Sequence, residues 1–526
     1  MSPINPYIVG NPVGNSPAFV GRDDVLQKVL RVVREPSQNA IVLYGQRRIG
    51  KTSVLQEMAA RLPKEGAYHP ILFDLQDKAG WALGRVLGNL AHQMSRILEL
   101  AIPDLGSEPE ITFRQVWLPH VLNTLPTDTS LVLLFDEFDV LANPESEQAA
   151  AAFFPYLRDL LNTNPKRLNC VFVIGRNIDD LTSIALSLFR DIPAQHVSRL
   201  NDAETIKLIR LSETNKSLNW SNGEAIEKIW QLTSGHPFLT QALCSDIWDR
   251  LYHKNPDEPP TVTSKDVEEA IPDTLSYRRN TLEWLWDGLP PAERVVASTL
   301  ASAGATAITE TQLEELLRKS GVQIIIRELQ NAPRLLQEWD LIEEVGEKEY
   351  RFRVELLRRW IAEYKLPRQQ AQYELDRLDP AADTLYQAGQ KLYKDRHWEV
   401  ALGPLRQAIG LNSNHVGANL LLADILLKQE KANEACEILE KLYTFRPVAA
   451  QMPLIQALLT YAQYHPNKKA QIKLYERVLA LDAGHSEAKN QLQKIQRRRE
   501  NAKQRQWAIN LKGIFNKYLL GWKFWG

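Results

Sequence analysis

Two short clusters of residues have the types and spacing needed to bind phosphate and a divalent cation. The first is the octapeptide GQRRIGKT at residues 45–52. Its two glycines allow a tight turn in which successive backbone N–H groups point at phosphate oxygens. Lys51 is placed to bridge the β- and γ-phosphates of a nucleotide, and the Thr52 hydroxyl is placed to hold Mg²⁺. The pattern therefore predicts a phosphate-binding loop.

The residues on either side of this loop supply the context that it requires. Ala40–Tyr44 is an apolar run short enough for a buried parallel strand, and SVLQEMAARL after the loop has a helical pattern. Strand, glycine loop and helix are the arrangement of a P-loop, and the helix adds its positive N-terminus to the site. The residues predicted to bind nucleotide here are Gly45, Gln46, Arg47, Arg48, Ile49, Gly50, Lys51, Thr52 and Ser53.

The second cluster is acidic and follows another pattern of a buried strand. Residues 131–135 are apolar and are followed by DEFD. Asp136 lies where a carboxylate completes a Mg²⁺ site with Thr52, and Glu137 is the candidate base for an attacking water. Asp139 is either a more distant supporting group or the N-cap of a helix. The alternative for the whole cluster is that these acids only cap the end of a strand. We therefore predict ATP or ADP with Mg²⁺ as cofactors.

Composition indicates a globular protein of several domains. The 526 residues are 44% apolar and 24% charged, with a net charge of −1, so no overall attraction to nucleic acid or membranes is expected. Cys170, Cys244 and Cys436 are too far apart for a metal site and suit a reducing compartment. Neither a signal peptide nor a transmembrane run is visible. We expect a cytoplasmic protein of three or four domains.

The order of apolar patterns predicts an α/β fold followed by helical domains. Strand and helix patterns alternate up to about residue 200, as in a parallel sheet, and the pattern then becomes helical. Residues 286–365 show three helices, a hairpin and a further helix, which is the order of a winged helix. The predicted domains are a lead-in (1–18), a P-loop ATPase domain (19–200), a helical lid (201–285), a winged helix (286–365), a linker (366–381), tetratricopeptide repeats (382–484) and a basic aromatic tail (485–526).

The C-terminal third contains repeats with a period of 34 residues. Small and large apolar residues recur at matching offsets from Ala382 and from Val416, and a third unit spans about 451–484. Stacked helix pairs of this kind form an α-solenoid whose concave surface binds a peptide or protein partner; a spacer or oligomerisation arm is the alternative. The tail after residue 485 is predicted to contact a membrane surface, nucleic acid or a partner, or to cap the last repeat.

Six short motifs follow one another between residues 19 and 360. They are FVGR, GQRRIGKT, LVLLFDEFD, VFVIGR, GHP and YRFRVELLRRW. Their order resembles that of STAND and archaeal-type AAA+ ATPases. The resemblance implies that Gly21 and Arg22 lie beside the adenine and that Pro237 packs on the base. It also implies that Arg176 senses the γ-phosphate, although an ordinary strand-end cation is the alternative.

The resemblance further implies a signalling switch. In this family the winged helix closes over the nucleotide, but the histidine that often contacts the β-phosphate of ADP has no counterpart at residues 353–357. We expect slow, regulatory ATP hydrolysis, with nucleotide state controlling homo-oligomerisation and Arg190 acting as an arginine finger or a surface charge. The alternatives are a DNA-binding, initiator- or regulator-like ATPase that uses its winged helix, and a nucleotide-bound scaffold without hydrolysis.

Overall fold

The computed structural model contains two compact units. The structure describes residues 4–35, 38–78, 80–138, 140, 147–175, 189, 192–221, 223–252 and 258–521. The first unit comprises residues 1–310 and 333–366, and the second comprises 311–332 and 367–526. Each unit has a hydrophobic core of its own. The segment predicted as a winged helix is therefore divided, because residues 311–332 belong to the second unit.

A five-stranded parallel sheet forms the centre of the first unit. In spatial order its strands are β2 (Tyr68–Asp74), β3 (Ser130–Asp136), β4 (Leu168–Ile174), β1 (Ala40–Tyr44) and β5 (Ala194–His196). Every neighbouring pair is parallel. Because the carboxyl ends of parallel strands meet at one edge, the loop after β1 and the acids after β3 lie at the same edge.

Alternate residues of the central strands enter two different cores. In β1, Ile41 and Leu43 join the core under the first two helices, whereas Ala40 and Val42 join the core on the opposite face. Successive residues of a strand point to opposite faces of the sheet. Because both faces are buried here, residues on either face are apolar, and the sequence of each central strand reads as a continuous apolar run. The helices of this part are α1 (Asp23–Arg34), α2 (Lys51–Glu65), α3 (Leu83–Leu98), α4 (Pro109–Thr112), α5 (Leu118–Thr124) and α6 (Glu147–Thr163), with a π-helical turn at Phe113–Trp117.

The part predicted as a lid consists mainly of helices in its described residues, with one isolated β-bridge between Asn219 and Thr261. Asn201 and Thr263 each start a helix with a capping box, in which the side chain accepts from the third helical N–H and an acid bonds back. The helices are α7 (Asp202–Ile209), α8 (Leu211–Thr214), α9 (Gly223–Thr233), α10 (Pro237–Leu251), α11 (Ser264–Tyr277) and α12 (Arg279–Asp287). Local capping signals thus set where these helices begin.

The next segment has three helices and a small antiparallel sheet in the order β6-β8-β7, followed by a last helix. Its elements are α13 (Pro291–Ala303), β6 (Ile308–Thr309), α14 (Glu310–Ser320), α15 (Arg327–Glu338), β7 (Ile342–Gly346), β8 (Glu349–Phe352) and α16 (Glu355–Tyr364). Helix α15 begins in the second unit and ends in the first, and the units divide at Pro333 inside it. Proline lacks an N–H, so the helix loses one hydrogen bond at that point.

Three helix pairs occupy the second unit. They are α18 (Pro380–Lys394) with α19 (Trp398–Leu411), α20 (Val416–Lys428) with α21 (Ala432–Phe445), and α22 (Pro447–Tyr464) with α23 (Lys468–Leu481). A Cβ atom on Gly389 would lie 2.8 Å from the Leu405 side chain, so glycine lets α18 and α19 approach closely. The predicted linker contains α17 (Pro367–Glu374) and a 3-10 turn at Leu375–Arg377. The fold class predicted from the sequence is confirmed.

The predicted tail forms one long helix, α24 (Ser486–Gly521). Its first turns close the last repeat, because Ala488 and Leu492 are buried in the core of the repeats. Farther along, Trp507 and Ile509 are 69% and 63% exposed. Within the described residues, no helix combines the length and the apolar character that crossing a bilayer requires.

Candidate functional site

The loop between β1 and α2 has the backbone geometry that phosphate binding requires. Gly45 and Gly50 have φ values of 154° and 102°, in the region that favours glycine. A Cβ atom on Gly45 would lie 2.4 Å from the carbonyl oxygen of Val197, so a side chain does not fit there. Helix α2 begins at Lys51, and the N–H groups of its first turn lack partners inside the helix. Such an arrangement can hold an anion.

A cleft lies beside this loop and opens to solvent. Lys51 is buried, and its Nζ donates to the carbonyls of Gly45 at 2.9 Å and Gln46 at 2.7 Å, which holds its charge under the loop. The cleft brings together predicted site residues from distant segments of the chain. They are Arg47, Arg48, Gly50, Lys51, Thr52, Ser53, Asp136, Glu137 and Pro237.

Oxygen atoms from two strands and the P-loop meet in this cleft. Asp136 accepts a hydrogen bond from the Thr52 side chain, and burial raises the pKa of Asp136. Asp74 is paired with Asp136 across β2 and β3 and also lines the cleft. Mg²⁺ prefers oxygen ligands and takes some of them from substrate phosphates, so a hydroxyl with one or two carboxylates fits this ion. Among the described residues, His, Cys, Asp and Glu form no three-membered cluster that could hold a metal without a phosphate.

Glu137 lies in the same cleft. Its backbone φ is 49°, and its N–H donates to the Asp136 carboxylate at 3.0 Å. Burial lowers the pKa of the Arg48 guanidinium in the same cleft, and the charge of Glu137 opposes that effect. A carboxylate at this place can accept a proton from a water that attacks a phosphate. Three residues singled out from the sequence lie outside the described residues: Asp139, Arg176 and Arg190.

A smaller apolar pocket adjoins the cleft. Its walls include Val20, Ile49, Leu200 and Leu208, and it shares Pro237 with the cleft. Apolar walls next to a phosphate site suit a flat aromatic base. The residues that line both spaces are Val13, Gly50, Ser53, Pro237 and Gln241.

Arg22 holds the P-loop in place, and Gly21 before it lies against Glu204. The Arg22 guanidinium donates to the carbonyl of Ile49 at 2.7 Å and to the carbonyl of Ser198. Gly21 has a φ of 74°, and a Cβ atom there would lie 2.5 Å from the Glu204 carboxylate. Arg22 lines the apolar pocket, whereas Gly21 is absent from the described lining of either space. A direct contact of these two residues with adenine stays a prediction.

The GHP motif forms the turn that places Pro237 in the cleft. Gly235 has a φ of 74°, and a Cβ atom there would lie 2.2 Å from the carbonyl oxygen of Leu200. The Leu200 N–H donates to the Gly235 carbonyl at 2.9 Å, which ties the turn to the end of β5. His236 caps α10, because its Nδ1 accepts from the Leu239 N–H at 3.5 Å. Proline at the first position of α10 matches its preference for helix starts.

His236 is buried and is expected to make stability depend on pH. Burial, together with the nearby charges of Arg199 and Arg22, lowers its pKa to about 3. Because the folded pKa is depressed, the unfolded chain binds more protons between pH 3 and 6.5, and stability is lost as pH falls through that range. From pH 7 to pH 5 this group should cost about 2 kcal/mol of unfolding free energy.

Denaturant unfolding of the parental chain and of His236→Asn at both pH values measures this effect. Asparagine preserves the helix cap but does not titrate in this range. The variant should lose less stability than the parent on acidification. An equal loss in the two proteins would show that His236 is not the group responsible.

Two residues that follow α15 make contacts near the site: Trp339 contacts the P-loop, and Asp340 contacts the segment after β5. The Gln46 amide donates to the carbonyl of Trp339, so its side chain is turned from the cleft towards this segment. The Asp340 carboxylate accepts from the Ser198 hydroxyl at 2.8 Å and from the Arg353 guanidinium at 3.1 Å. Gln46 can thus contribute only its backbone to a phosphate, and that contribution stays a prediction.

Sequence reasoning missed several residues that line the cleft. Asp74 had a usable signal, because it is a carboxylate after an apolar strand run next to the acidic cluster. The others come from segments without a motif, and long-range packing brings them in. The missed residues are Ile8, Gly10, Asn11, Pro12, Val13, Asp74, Gln76, Phe238, Gln241 and Trp284.

Two known families match parts of this chain. Residues 34–182 match the family described as AAA domain, and residues 372–442 match the family described as anaphase-promoting complex, cyclosome, subunit 3. Chaperone protein ClpB of Clostridium tetani is 21% identical over 217 residues, which is 40% of this chain and 25% of that protein. ClpB of Nitratidesulfovibrio vulgaris is 24% identical over 206 residues, 38% of this chain and 24% of that protein. The chain thus spans about a quarter of the length of these relatives.

Solved structures share the fold at low sequence identity. The Walker-type ATPase of Pyrococcus abyssi is 14% identical with a TM-score of 0.50, over 67% of this chain and 98% of that one. A STAND protein with a tetratricopeptide repeat sensor from Pyrococcus horikoshii is 15% identical over 93% of this chain and 74% of that one, with a TM-score of 0.26. The chain therefore contains a P-loop ATPase domain of the AAA type, followed by helical repeats of the tetratricopeptide type.

Proposed function

We propose that this protein is an ATP-hydrolysing molecular switch whose repeats bind a protein or peptide partner. One observation carries the proposal: a single cleft brings together Lys51, Thr52, Asp136 and Glu137. These side chains have the chemistry needed to bind a nucleoside triphosphate and to activate a water beside its γ-phosphate. The adjoining apolar pocket supports adenine as the base.

Each residue has a distinct role in this proposal. Lys51 and the N–H groups at the start of α2 bind the β- and γ-phosphates. Thr52 and Asp136 would hold Mg²⁺, which when bound supplies positive charge against the phosphate oxygens. Glu137 takes a proton from the attacking water. Pro237 packs against the base and connects it to the lid.

The contact of the P-loop with Trp339 supports a switch. The loop that holds the phosphates also donates, through Gln46, to the carbonyl of Trp339. A change in loop shape between ATP and ADP would alter this hydrogen bond. ATP and ADP would then differ in how strongly they favour the state in which Trp339 contacts the P-loop. Such a difference shifts the equilibrium between the state with this contact and the state without it.

Asn414 supports a role for the repeats in this switch. Its fully buried side chain accepts from the N–H groups of Gln323 and Ile324 at 3.0 Å each and donates to the Ile324 carbonyl at 2.7 Å. These two residues lie four and three positions before Arg327, the first residue of α15. Helix α15 follows these residues along the chain and is itself followed by Trp339, so in this proposal a partner bound at the repeats acts on the P-loop contact through α15.

Asn414→Ala in the full-length protein is expected to change ATP turnover by about fivefold or more, the lower end of typical coupling energies. The alanine removes three hydrogen bonds between the repeats and the start of α15. Phosphate release measures turnover, and light scattering with ADP and with ATP measures self-association. Circular dichroism verifies that the repeats stay folded.

Thr444→Ala is the matched control for Asn414→Ala. It removes an exposed hydrogen bond of 3.3 Å from the Gln323 side chain. The hydrogen bonds of Asn414 with the backbone of Gln323 and Ile324 stay intact. We expect this control to behave like the parent. If the folded Asn414 variant also matches the parent in turnover and mass with both nucleotides, the proposed coupling is wrong.

A further inference from the structure

Residues 4–15, here called the N-terminal strap, are anchored on the lid at one end. The Tyr7 side chain is 4% exposed, and its hydroxyl hydrogen-bonds to the Ser212 hydroxyl at 2.9 Å and to the Ile209 carbonyl. The Ile8 N–H donates to the side chain of Gln241 at 2.8 Å. Because the Tyr7 hydroxyl is buried and makes two hydrogen bonds, it fixes the N-terminal end of the strap on the lid.

The other end of the strap is anchored on the P-loop helix. The Val13 N–H donates to the Ser53 hydroxyl at 3.0 Å, and the Asn15 N–H donates to Glu57 at 2.8 Å. A Cβ atom on Gly14 would lie 2.4 Å from Cβ of Gln56 and 2.5 Å from the carbonyl oxygen of Ser53. The backbone of the strap therefore rests directly on the first turn of α2, and only glycine permits this approach.

Between its two anchors the strap forms a wall of the cleft. Residue 8 and residues 10–13 line the cleft together with the P-loop. The Arg48 guanidinium donates to the carbonyl of Gly10 at 2.6 Å and lies over the Trp284 ring at 5.0 Å from its centroid. A P-loop side chain thus holds the strap at the place where phosphate is expected.

The Ser53 hydroxyl belongs to both the strap and the predicted nucleotide site. It lines both the cleft and the apolar pocket, so in the proposed nucleotide site it lies between the phosphates and the base. A hydroxyl carries one proton and two lone pairs. Ser53 can therefore accept from Val13 and donate to a phosphate oxygen at the same time.

We infer that the N-terminal strap is a nucleotide-binding element and that nucleotide leaves only when the strap detaches from α2. This inference rests on the proposed nucleotide binding and adds the control of release. Strap docking and nucleotide binding stabilise each other, because both use Ser53 and Arg48. By linkage, the factor by which the strap tightens nucleotide binding equals the factor by which nucleotide tightens strap docking.

Gly14→Ala in the full-length protein tests this inference through the rate of nucleotide release. The added methyl group cannot fit between the strap and α2, so we expect mant-ADP to dissociate at least about tenfold faster, in the presence of Mg²⁺ and excess unlabelled ADP. Tyr7→Phe removes only the buried hydroxyl and should accelerate release by a smaller factor. Hydrogen exchange of residues 4–15 should slow when ADP is added to the parent.

Gly88→Ala is the matched control, because a Cβ atom on that glycine of α3 meets nothing within 4 Å. It should release mant-ADP at the parental rate. If both strap variants bind mant-ADP and release it within about twofold of the parental rate, the inference is wrong while nucleotide binding stands. If the parent itself binds neither ATP nor ADP, both the proposed function and this inference are overturned.

Discussion

Replacing Glu137 with glutamine is expected to lower ATP hydrolysis by about a hundredfold or more while ATP binding is retained. Glutamine keeps the shape of the side chain but cannot accept a proton from water. The hydrogen bond to Asp136 comes from the backbone of residue 137, so the turn after β3 is preserved. Phosphate release measures the rate, and isothermal titration calorimetry measures the affinity for ATP with Mg²⁺.

Glu108→Gln is a suitable control for this variant, because Glu108 is exposed before α4 and does not line the cleft. It should hydrolyse ATP at the parental rate. If Glu137→Gln also keeps the parental rate, another group serves as the base. In the ATP state that this variant prolongs, we expect self-association, and light scattering with ATP and with ADP measures it.

Replacing Lys51 with alanine is expected to weaken the binding of ATP with Mg²⁺ by at least about tenfold, or about 1.4 kcal/mol. Lys51 is 5% exposed, and its ammonium group is held under the P-loop by the carbonyls of Gly45 and Gln46. A neutral side chain cannot offset the charge of the phosphates, and a buried cation is screened little by water. Calorimetry in the same buffer compares the variant with the parent.

Lys64→Ala provides the control on the same helix, because this exposed lysine lies in the last turn of α2. It removes the same charge far along the helix from the phosphates and should leave ATP affinity unchanged. Thermal unfolding distinguishes a folded Lys51 variant from a damaged one. Unchanged ATP affinity in a folded Lys51→Ala protein would contradict the assignment of this loop.

The sequence alone determined the elements whose signals are local. The P-loop needs two glycines, a lysine and a threonine within eight residues, and the strand before it and the helix after it are its direct neighbours. Asp136 was predictable because parallel strands bring their carboxyl ends to one edge. The repeats were predictable because small and large apolar residues recur with a period of 34 residues, and because each helix pair packs only on its neighbours.

Only the tertiary structure decided which distant segments complete the site. The strap has no apolar periodicity, and its hydrogen bonds join Tyr7 to Ser212 and Ile8 to Gln241, across more than 200 residues. The contact of Gln46 with Trp339 spans 293 residues. Such contacts depend on how whole elements pack, which local propensity does not encode. The phosphate-binding residues could therefore be predicted from the sequence. The wall of the cleft formed by the strap and the contact of the P-loop with residue 339 could be found only in the folded structure.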